Sequence, residues 1–401
     1  MVEVIEERET KNTAENSAGK AAEIGVKKSA RIGVVFGGRS SEHEVSLASA
    51  ANVIDALTRA GYEVAPIGIS TTGRWLVDGD PMKLLSDQAS GTSNGASASE
   101  DASQPMTIDQ SASPENWALL PNTKHASQLE TIDVIFPVLH GPYGEDGTIQ
   151  GLLEMANLPY VGCGVASSAL AMDKVLARQL FAAAGLKQAN YVVVLRNRYQ
   201  SDPEATCADI EKSVRYPYFV KPANMGSSVG VTKANNRAEL HAAMTIAAQF
   251  DRKVLIEEAV PNCREIEVSV LGNDDPVASV AGEIVPGHEF YSYAAKYLDD
   301  SSQLLIPAQL SDEAMQRVRE MAVHAFQAID GTGLARVDFL LDNLTGEFYL
   351  NEINTMPGFT RISMYPKLWE ATGITYPELV DRLVQLAVAR YDDRQQNSTS
   401  H

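Results

Sequence analysis

The chain has 401 residues, 44% of them hydrophobic, which is enough apolar material for two or three domains. A formal charge of −19 and a pI near 4.8 argue against a nucleic-acid or anionic-membrane partner, so any phosphate ligand has to be met by a local cluster of basic groups. Three widely spaced cysteines, Cys163, Cys207 and Cys263, have no metal-site spacing and fit free thiols in a reducing cytoplasm.

Residues 1–30 are polar and of mixed charge, lack the apolar stretch of a secretory signal, and read as a disordered tail. No run approaches the length of a membrane span. The segment ARIGVVFGG at 30–38 has the pattern of a buried parallel strand entering a glycine loop. A helical pattern at Val45, Leu47, Ala48, Ala51, Val53, Ile54 and Leu57 ends at Gly61, and a strand over 63–69 completes a strand-helix-strand unit. The turn is not G-x-G-x-x-G, and Glu42 would repel a pyrophosphate, so an amine rather than a nucleotide is expected there. Residues 86–116 are rich in Ser, Ala, Asp and Gln and read as an inserted flexible loop, because the strand pattern resumes over 132–139. A turn-rich stretch from His140 then leads into a helix near Thr148. A lone histidine at a strand end is commonly a packed or capping residue, yet the carboxyl ends of parallel strands are where open sheets bind ligands, so both readings stand for His140.

Beyond residue 160, Met172-Asp173-Lys174 opens a helix that Gly185 caps. The strand Tyr218-Phe219-Val220-Lys221-Pro222 enters the loop ANMGSSVGV, with a lysine at its mouth. Successive backbone N–H groups and serine hydroxyls in such a loop can cradle phosphate oxygens. It is not a Walker A loop, and a plain hairpin turn remains an alternative. After a helix near 237–250, a strand at 253–260 ends in Glu257 and Glu258, where an acceptor could meet an adenine amine. Alternating strands follow at 264–270 and 276–285. Residues 286–302, with Tyr291, Tyr293, Lys296 and Tyr297, read as a long irregular loop of the kind that serves as a lid. Ser311 caps the next helix, and Met315, Val318, Ala322, Ala325 and Ile329 form its apolar stripe. A last helix at 376–390 precedes a polar tail expected to fray.

The stretch at 334–366 reads as a hairpin. Alternation sets Arg336 and Asp338 on one face and Ala335, Val337, Phe339 and Leu341 on the other; in the returning strand Glu352 and Asn354 are expected to share a face with Phe348 and Leu350. Two carboxylates and an amide oxygen converging beside a guanidinium suit Mg2+, although an ion-paired, solvated hairpin edge is the plainer account of any one of these acids.

In this order, GGRSSEHEVSL, HGPYGEDGTIQG, MDK, FVKPANMGSSVGV, LIEEAV with REIEV, AAKY, and ARVDF with NEINTMPGFTRISMYP resemble the motifs of the D-alanine–D-alanine ligases, an ATP-grasp family. The likeness covers about residues 31–392 and implies an α/β fold of three domains. These are a Rossmann-like N-terminal domain at 31–162 carrying the 86–116 insert, a central ATP-grasp subdomain at 163–260 and a C-terminal catalytic domain at 261–393, with tails at 1–30 and 394–401. It also implies a cytoplasmic enzyme, homodimeric through its first domain, that uses ATP and two divalent ions, Mg2+ or Mn2+, to join two D-alanines for cell-wall synthesis.

Residue by residue, the resemblance implies that Lys174 and Lys221 bind phosphates, Glu257 meets the adenine amine, Glu258 and Val260 frame the base through their backbones, and Glu265 holds the ribose. Lys296 would approach the transferred phosphoryl group, and Asp338, Glu352 and Asn354 would ligate the metals. Glu42, Ser227 and Tyr297 would form a linked set over the first D-alanine, with His140 on the substrate side. Arg336 and the Gly358 backbone would hold the reacting carboxyl oxygens, and Ser363 and Met364 would receive the second substrate's carboxylate. A ligase using D-lactate or D-serine is the neighbouring alternative, disfavoured by the AAKY motif. A non-catalytic ATP-grasp protein is the other, disfavoured because Arg336 and all three metal ligands are present.

Overall fold

The computed structural model describes residues 28–77, 79–89, 132–285 and 303–398. The N-terminal tail to residue 27, the expected insert from residue 90 onward, and the 286–302 segment with Lys296 and Tyr297 lie outside the described residues.

In the first domain, β1 (Arg31–Gly37) lies between β2 (Glu63–Ile69) and β4 (Val134–Val138), parallel to both, and the short β3 (Trp75–Leu76) pairs antiparallel at the edge. Because successive side chains of a strand point to opposite faces, β1 feeds two cores. Ile32, Val34 and Phe36 pack with Leu47, Val53 and Leu57 of α1 (His43–Arg59), while Val35 joins Ile67, Ile135 and Leu139. Helix α2 (Pro81–Ala89) buries Leu85 in the first of these cores. It also corrects the expected start of the insert, since residues 86–89 are helical. Helix α3 (Thr148–Met155) covers the second core with Ile149 and Leu153.

Helices α4 (Val165–Met172) and α5 (Lys174–Ala183) are separated by Asp173, whose extended backbone ends one helix and whose carboxylate caps the next by accepting from the N–H groups of Val175 and Leu176 at 3.1 and 3.3 Å. After β5 (Tyr191–Leu195), α6 (Arg196–Ser201), α7 (Pro203–Ser213), β6 (Tyr218–Pro222), β7 (Thr232–Ala234), α8 (Arg237–Phe250) and β8 (Lys253–Glu258), an antiparallel sheet forms in the order β5-β8-β6-β7. Its core sets Tyr218, Val220, Val254 and Ile256 against Leu240 and Met244 of α8.

The third domain comprises β9 (Cys263–Gly272), β10 (Val277–Val285), β11 (Gln303–Leu305), α9 (Asp312–Ala328), β12 (Gly333–Asp342), β13 (Phe348–Asn354), α10 (Met364–Ala371) and α11 (Tyr376–Arg394). Its sheet runs β11-β10-β9-β12-β13, all neighbours antiparallel. The Ser311 hydroxyl caps α9 by accepting from the Ala314 N–H at 3.2 Å. Helix α11 reaches Arg394, past the fraying point expected from the polar sequence, because Arg394 pairs with Glu154 of the first domain and Gln395 donates to Asn157 at 2.8 Å. The first-domain core is completed from this domain by Phe359, Tyr365 and Trp369 and by Leu379, Val380, Leu383 and Val384 of α11.

One expectation about the hairpin is overturned. Asp338 pairs with Glu352 and Arg336 with Asn354, whereas Phe339 pairs with Leu350 and Leu341 with Phe348, so Asn351 is an extra residue in a β-bulge. The bulge inverts the phase of β13: Phe348, Leu350 and Ile353 face the core, and Glu352 and Asn354 face the opposite side, with Arg336 and Asp338.

Candidate active site

The three sheets enclose a cleft of about 1090 Å³ to which each contributes: Glu42 and His140 from the first domain, Lys221 and Ser227 from the second, and Arg336 and Glu352 from the third, with Lys174 added by α5. On its floor the hairpin presents four polar groups in register. The Nε and Nη2 of Arg336 donate to the two carboxylate oxygens of Asp338 at 2.7 Å each, and Nε also lies 2.9 Å from Glu267 Oε2 on the neighbouring β9. Asn354 Nδ2 donates to Asp338 Oδ2 at 3.0 Å, and Glu352 lies 3.6 Å from the Lys174 ammonium.

Lys174 at the start of α5 and Lys221 on β6 bring two cations to the cleft. Asp173, by capping α5, fixes the helix whose first residue is Lys174, and the Lys174 ammonium donates to the Met225 carbonyl at 2.7 Å. Lys221 leaves β6 on the cleft side and donates to Glu257 Oε2 at 3.0 Å and Asn351 Oδ1 at 3.3 Å. Glu257 is buried and also accepts from Arg178 at 2.7 Å. Burial by itself would raise its pKa, but the charges and hydrogen bonds of Arg178 and Lys221 outweigh that and hold the carboxyl below its ordinary range. In this structure the Glu257 carboxylate is therefore engaged with two cations rather than turned outward. The carboxylate of Glu258 is likewise occupied, by the Arg215 N–H at 2.8 Å and Asn190 Nδ2 at 2.9 Å, while Val260 and Glu265 line the same end of the cleft. The loop after β6 leads into β7 rather than a helix, and Ser227 and Ser228 both adopt positive φ (48° and 59°), which curls the backbone tightly.

Glu42 begins α1 without capping it; its carboxylate instead accepts a hydrogen bond from the Ser227 hydroxyl, across the domain boundary. Two glycines make room for that carboxylate, since a Cβ on Gly141 or Gly226 would stand 2.4 or 2.7 Å from Glu42 Oε2. His140 is buried, its Nδ1 3.0 Å from the Met356 carbonyl and its Nε2 3.2 Å from the Ser49 hydroxyl. A carbonyl can only accept, so Nδ1 carries the proton and Nε2 accepts from Ser49; burial pushes the histidine pKa down and keeps it neutral. At the far end Ser363 precedes α10. Its hydroxyl accepts from the Thr360 N–H at 3.0 Å, and Met364 is buried beneath it.

Four residues in or beside this site escaped the sequence reading: Ser49, Glu145, Arg178 and Glu267. Glu145 accepts from the Gly141 N–H at 2.7 Å and the Met356 N–H at 3.3 Å, and burial, with Glu42 nearby, pushes its pKa up to about 8. An acid inside G-E-D-G reads as a solvated turn residue; nothing local announces a partner 211 positions away.

A parallel-sheet domain followed by two antiparallel sheets that grip a cleft lined by lysines and carboxylates defines an ATP-grasp ligase. Residues 31–163 match the family model described as D-ala D-ala ligase N-terminus and residues 180–385 the one described as D-ala D-ala ligase C-terminus. The chain is 54% identical over 368 residues to the D-alanine–D-alanine ligase of Heliobacterium modesticaldum, covering 92% of this chain and 97% of that one, and 50% identical over 365 residues to its counterpart in Acetivibrio thermocellus, covering 90% and 97%. Among solved structures, the D-alanine–D-alanine ligase from Coxiella burnetii is 33% identical with a TM-score of 0.74 over 92% of this chain and 97% of that one. The VanG D-Ala:D-Ser ligase from Enterococcus faecalis is 35% identical with the same TM-score over 90% and 99%. The chain belongs to the D-alanine–D-alanine ligase family.

Proposed function

We propose that this protein joins two molecules of D-alanine at the expense of ATP, through a D-alanyl phosphate, to supply peptidoglycan precursors. The observation that supports it most is the Ser227–Glu42 hydrogen bond, which ties an amine-receiving loop of the first domain to a phosphate-cradling loop of the second, above the hairpin carboxylates. Glu42 takes the ammonium of the first D-alanine, so that its carboxylate faces the nucleotide. A carboxylate oxygen attacks the γ-phosphorus and ADP leaves; Lys174 and Lys221 hold the phosphates in line, and positioning plus charge neutralisation is most of what this step requires. The amine of the second D-alanine, its own carboxylate received at Ser363 and Met364 by the N-terminus of α10, then attacks the acyl carbon, loses a proton and expels phosphate. Arg336 and the Gly358 N–H are the donors for the oxyanion formed on the way. The adenosine lies toward Glu257, Glu258, Val260 and Glu265. The same reading gives Lys296 and Tyr297, outside the described residues, to the phosphoryl group and to the Glu42–Ser227 pair.

Asp338, Glu352 and Asn354 fit a divalent cation in donor type and placement: they are hard oxygen donors on one face of one hairpin. When bound, Mg2+ or Mn2+, two per site, neutralises the β- and γ-phosphates of ATP. A homodimer formed through the first domain, in the cytoplasm, belongs to the same proposal; among the described residues no helix is long and apolar enough to cross a membrane.

Glu352→Ala tests the assignment. It should abolish ADP release and weaken Mn2+ binding seen by electron paramagnetic resonance with an ATP analogue, while circular dichroism and Tm stay unchanged, because Glu352 is at a strand end outside the core. Near-normal ADP release by the folded variant contradicts it.

A further inference from the structure

The turn at residues 356–359, which carries Gly358, is held at three points by the first domain. The Met356 N–H donates to Glu145 Oε1 at 3.3 Å, the Met356 carbonyl accepts from His140 Nδ1 at 3.0 Å, and the Phe359 N–H donates to the Ser49 hydroxyl oxygen at 3.1 Å. These bonds are mutually consistent: the tautomer that serves Met356 leaves His140 Nε2 to accept from Ser49, whose oxygen is then oriented to accept from Phe359. Ser49 and Phe359 are fully buried, and Met356 and His140 nearly so, which makes the arrangement costly to disturb. Among the described residues no backbone carbonyl takes the Gly358 N–H, although the nearest N–H groups on either side, those of Met356 and Phe359, are both bonded. The clamp reaches the other end of the cleft as well. Glu145 Oε2 accepts from the N–H of Gly141, the glycine packed on the Glu42 carboxylate.

We infer that Ser49, His140 and Glu145 are positioning residues that set the distance between Glu42 and the Gly358 N–H, the two points between which the first substrate's ammonium and reacting carboxyl are stretched. The inference rests on the ligase reading and refines it: His140 acts on the turn that bears the oxyanion donor. A donor displaced by about an ångström serves the second step worst, because the oxyanion is then left to water, and an acyl phosphate that waits too long is hydrolysed. The signature is a broken stoichiometry. Water replaces the amine at the acyl carbon, giving back D-alanine and phosphate, so ADP accumulates without dipeptide.

The test compares ADP and dipeptide from the same reactions for the full-length wild type, Ser49→Ala and Glu145→Gln, at saturating ATP and D-alanine. The wild type should give one dipeptide per ADP. Each variant should lose roughly 10- to 100-fold in dipeptide formation, keep its KM for ATP within about twofold, and release clearly more ADP than dipeptide. Should Ser49→Ala not fold, Glu145→Gln carries the test, since it keeps the size of the side chain and one acceptor oxygen. A folded variant with wild-type rate and stoichiometry overturns the inference, as does a parallel fall in ADP and dipeptide, which is what a merely structural role produces. A wild type that releases no ADP with D-alanine overturns the ligase reading itself, and the inference with it.

Discussion

Arg178 illustrates what a single side chain contributes beneath this site. It is buried in α5, donates to Glu257, and through that shared carboxylate fixes Lys221 at the cleft. Removing one member of a buried charged set leaves the others uncompensated, at a cost of about 3–5 kcal/mol. Arg178→Ala should therefore destabilise the protein by about that amount in urea denaturation at neutral pH, and an unchanged midpoint would mean that Lys221 alone satisfies Glu257. The pH dependence has a definite sign. The folded-state pKa of Glu257 lies below its unfolded value, so its contribution is present above an unfolded pKa of about 4.3 and is lost as pH falls through the folded value. Glu257→Gln should flatten the acid limb of the stability profile. Sequence reading found Lys221 and Glu257 because charges at strand ends stand out. It passed over Arg178 because an arginine within an amphipathic helix normally faces water, and its burial follows from where β8 lies, which no local pattern reveals.

At the scale of elements, the bulge at Asn351 is what lets Glu352 and Asn354 face the cleft while Phe348 and Leu350 of the same strand stay in the core. Deleting Asn351 restores strict alternation without changing either face: Phe348, Leu350 and Ile353 stay toward the core, and Glu352 and Asn354 stay on the cleft side. The deletion should therefore keep ADP release, as should Asn351→Ala, which keeps the bulge and loses only the 3.3 Å contact with Lys221, each costing less than about tenfold in rate. Loss of ADP release in the folded deletion variant but not in Asn351→Ala would show that the kink itself, and not only the face on which Glu352 and Asn354 lie, is needed. The strands, helices and caps of this domain were legible from alternation, the apolar stripe of α9 and Ser311. The phase inversion was not read, though a trace of it exists: the core residues of β13 are spaced by two from Phe348 to Leu350 and by three from there to Ile353. The start of the insert, which overlaps α2, and the end of α11 were misplaced for another reason, since a polar composition masks a helix that buried Leu85 or a distant partner such as Glu154 sustains.

For the molecule as a whole, the order of motifs along the chain was enough to anticipate a parallel-sheet domain, a sheet with a lysine at the mouth of a Gly-Ser loop, and a hairpin carrying Arg336 and two carboxylates. Of the joints between them, the family resemblance implied the Glu42–Ser227 link across 185 residues, whereas the packing of Phe359 and α11 into the first domain's core was not visible, because no local pattern reports a contact so distant along the chain. The central claim is that these three sheets assemble one site for two D-alanines and ATP, in a fold shared equally with a D-Ala:D-Ser ligase. It is tested most directly by supplying D-alanine, D-serine and D-lactate together with ATP and Mg2+ and identifying products by mass. The account predicts equal amounts of ADP, phosphate and D-alanyl-D-alanine, with the mixed products minor. Dominance of D-alanyl-D-serine or D-alanyl-D-lactate, or no ADP release above background, would contradict it.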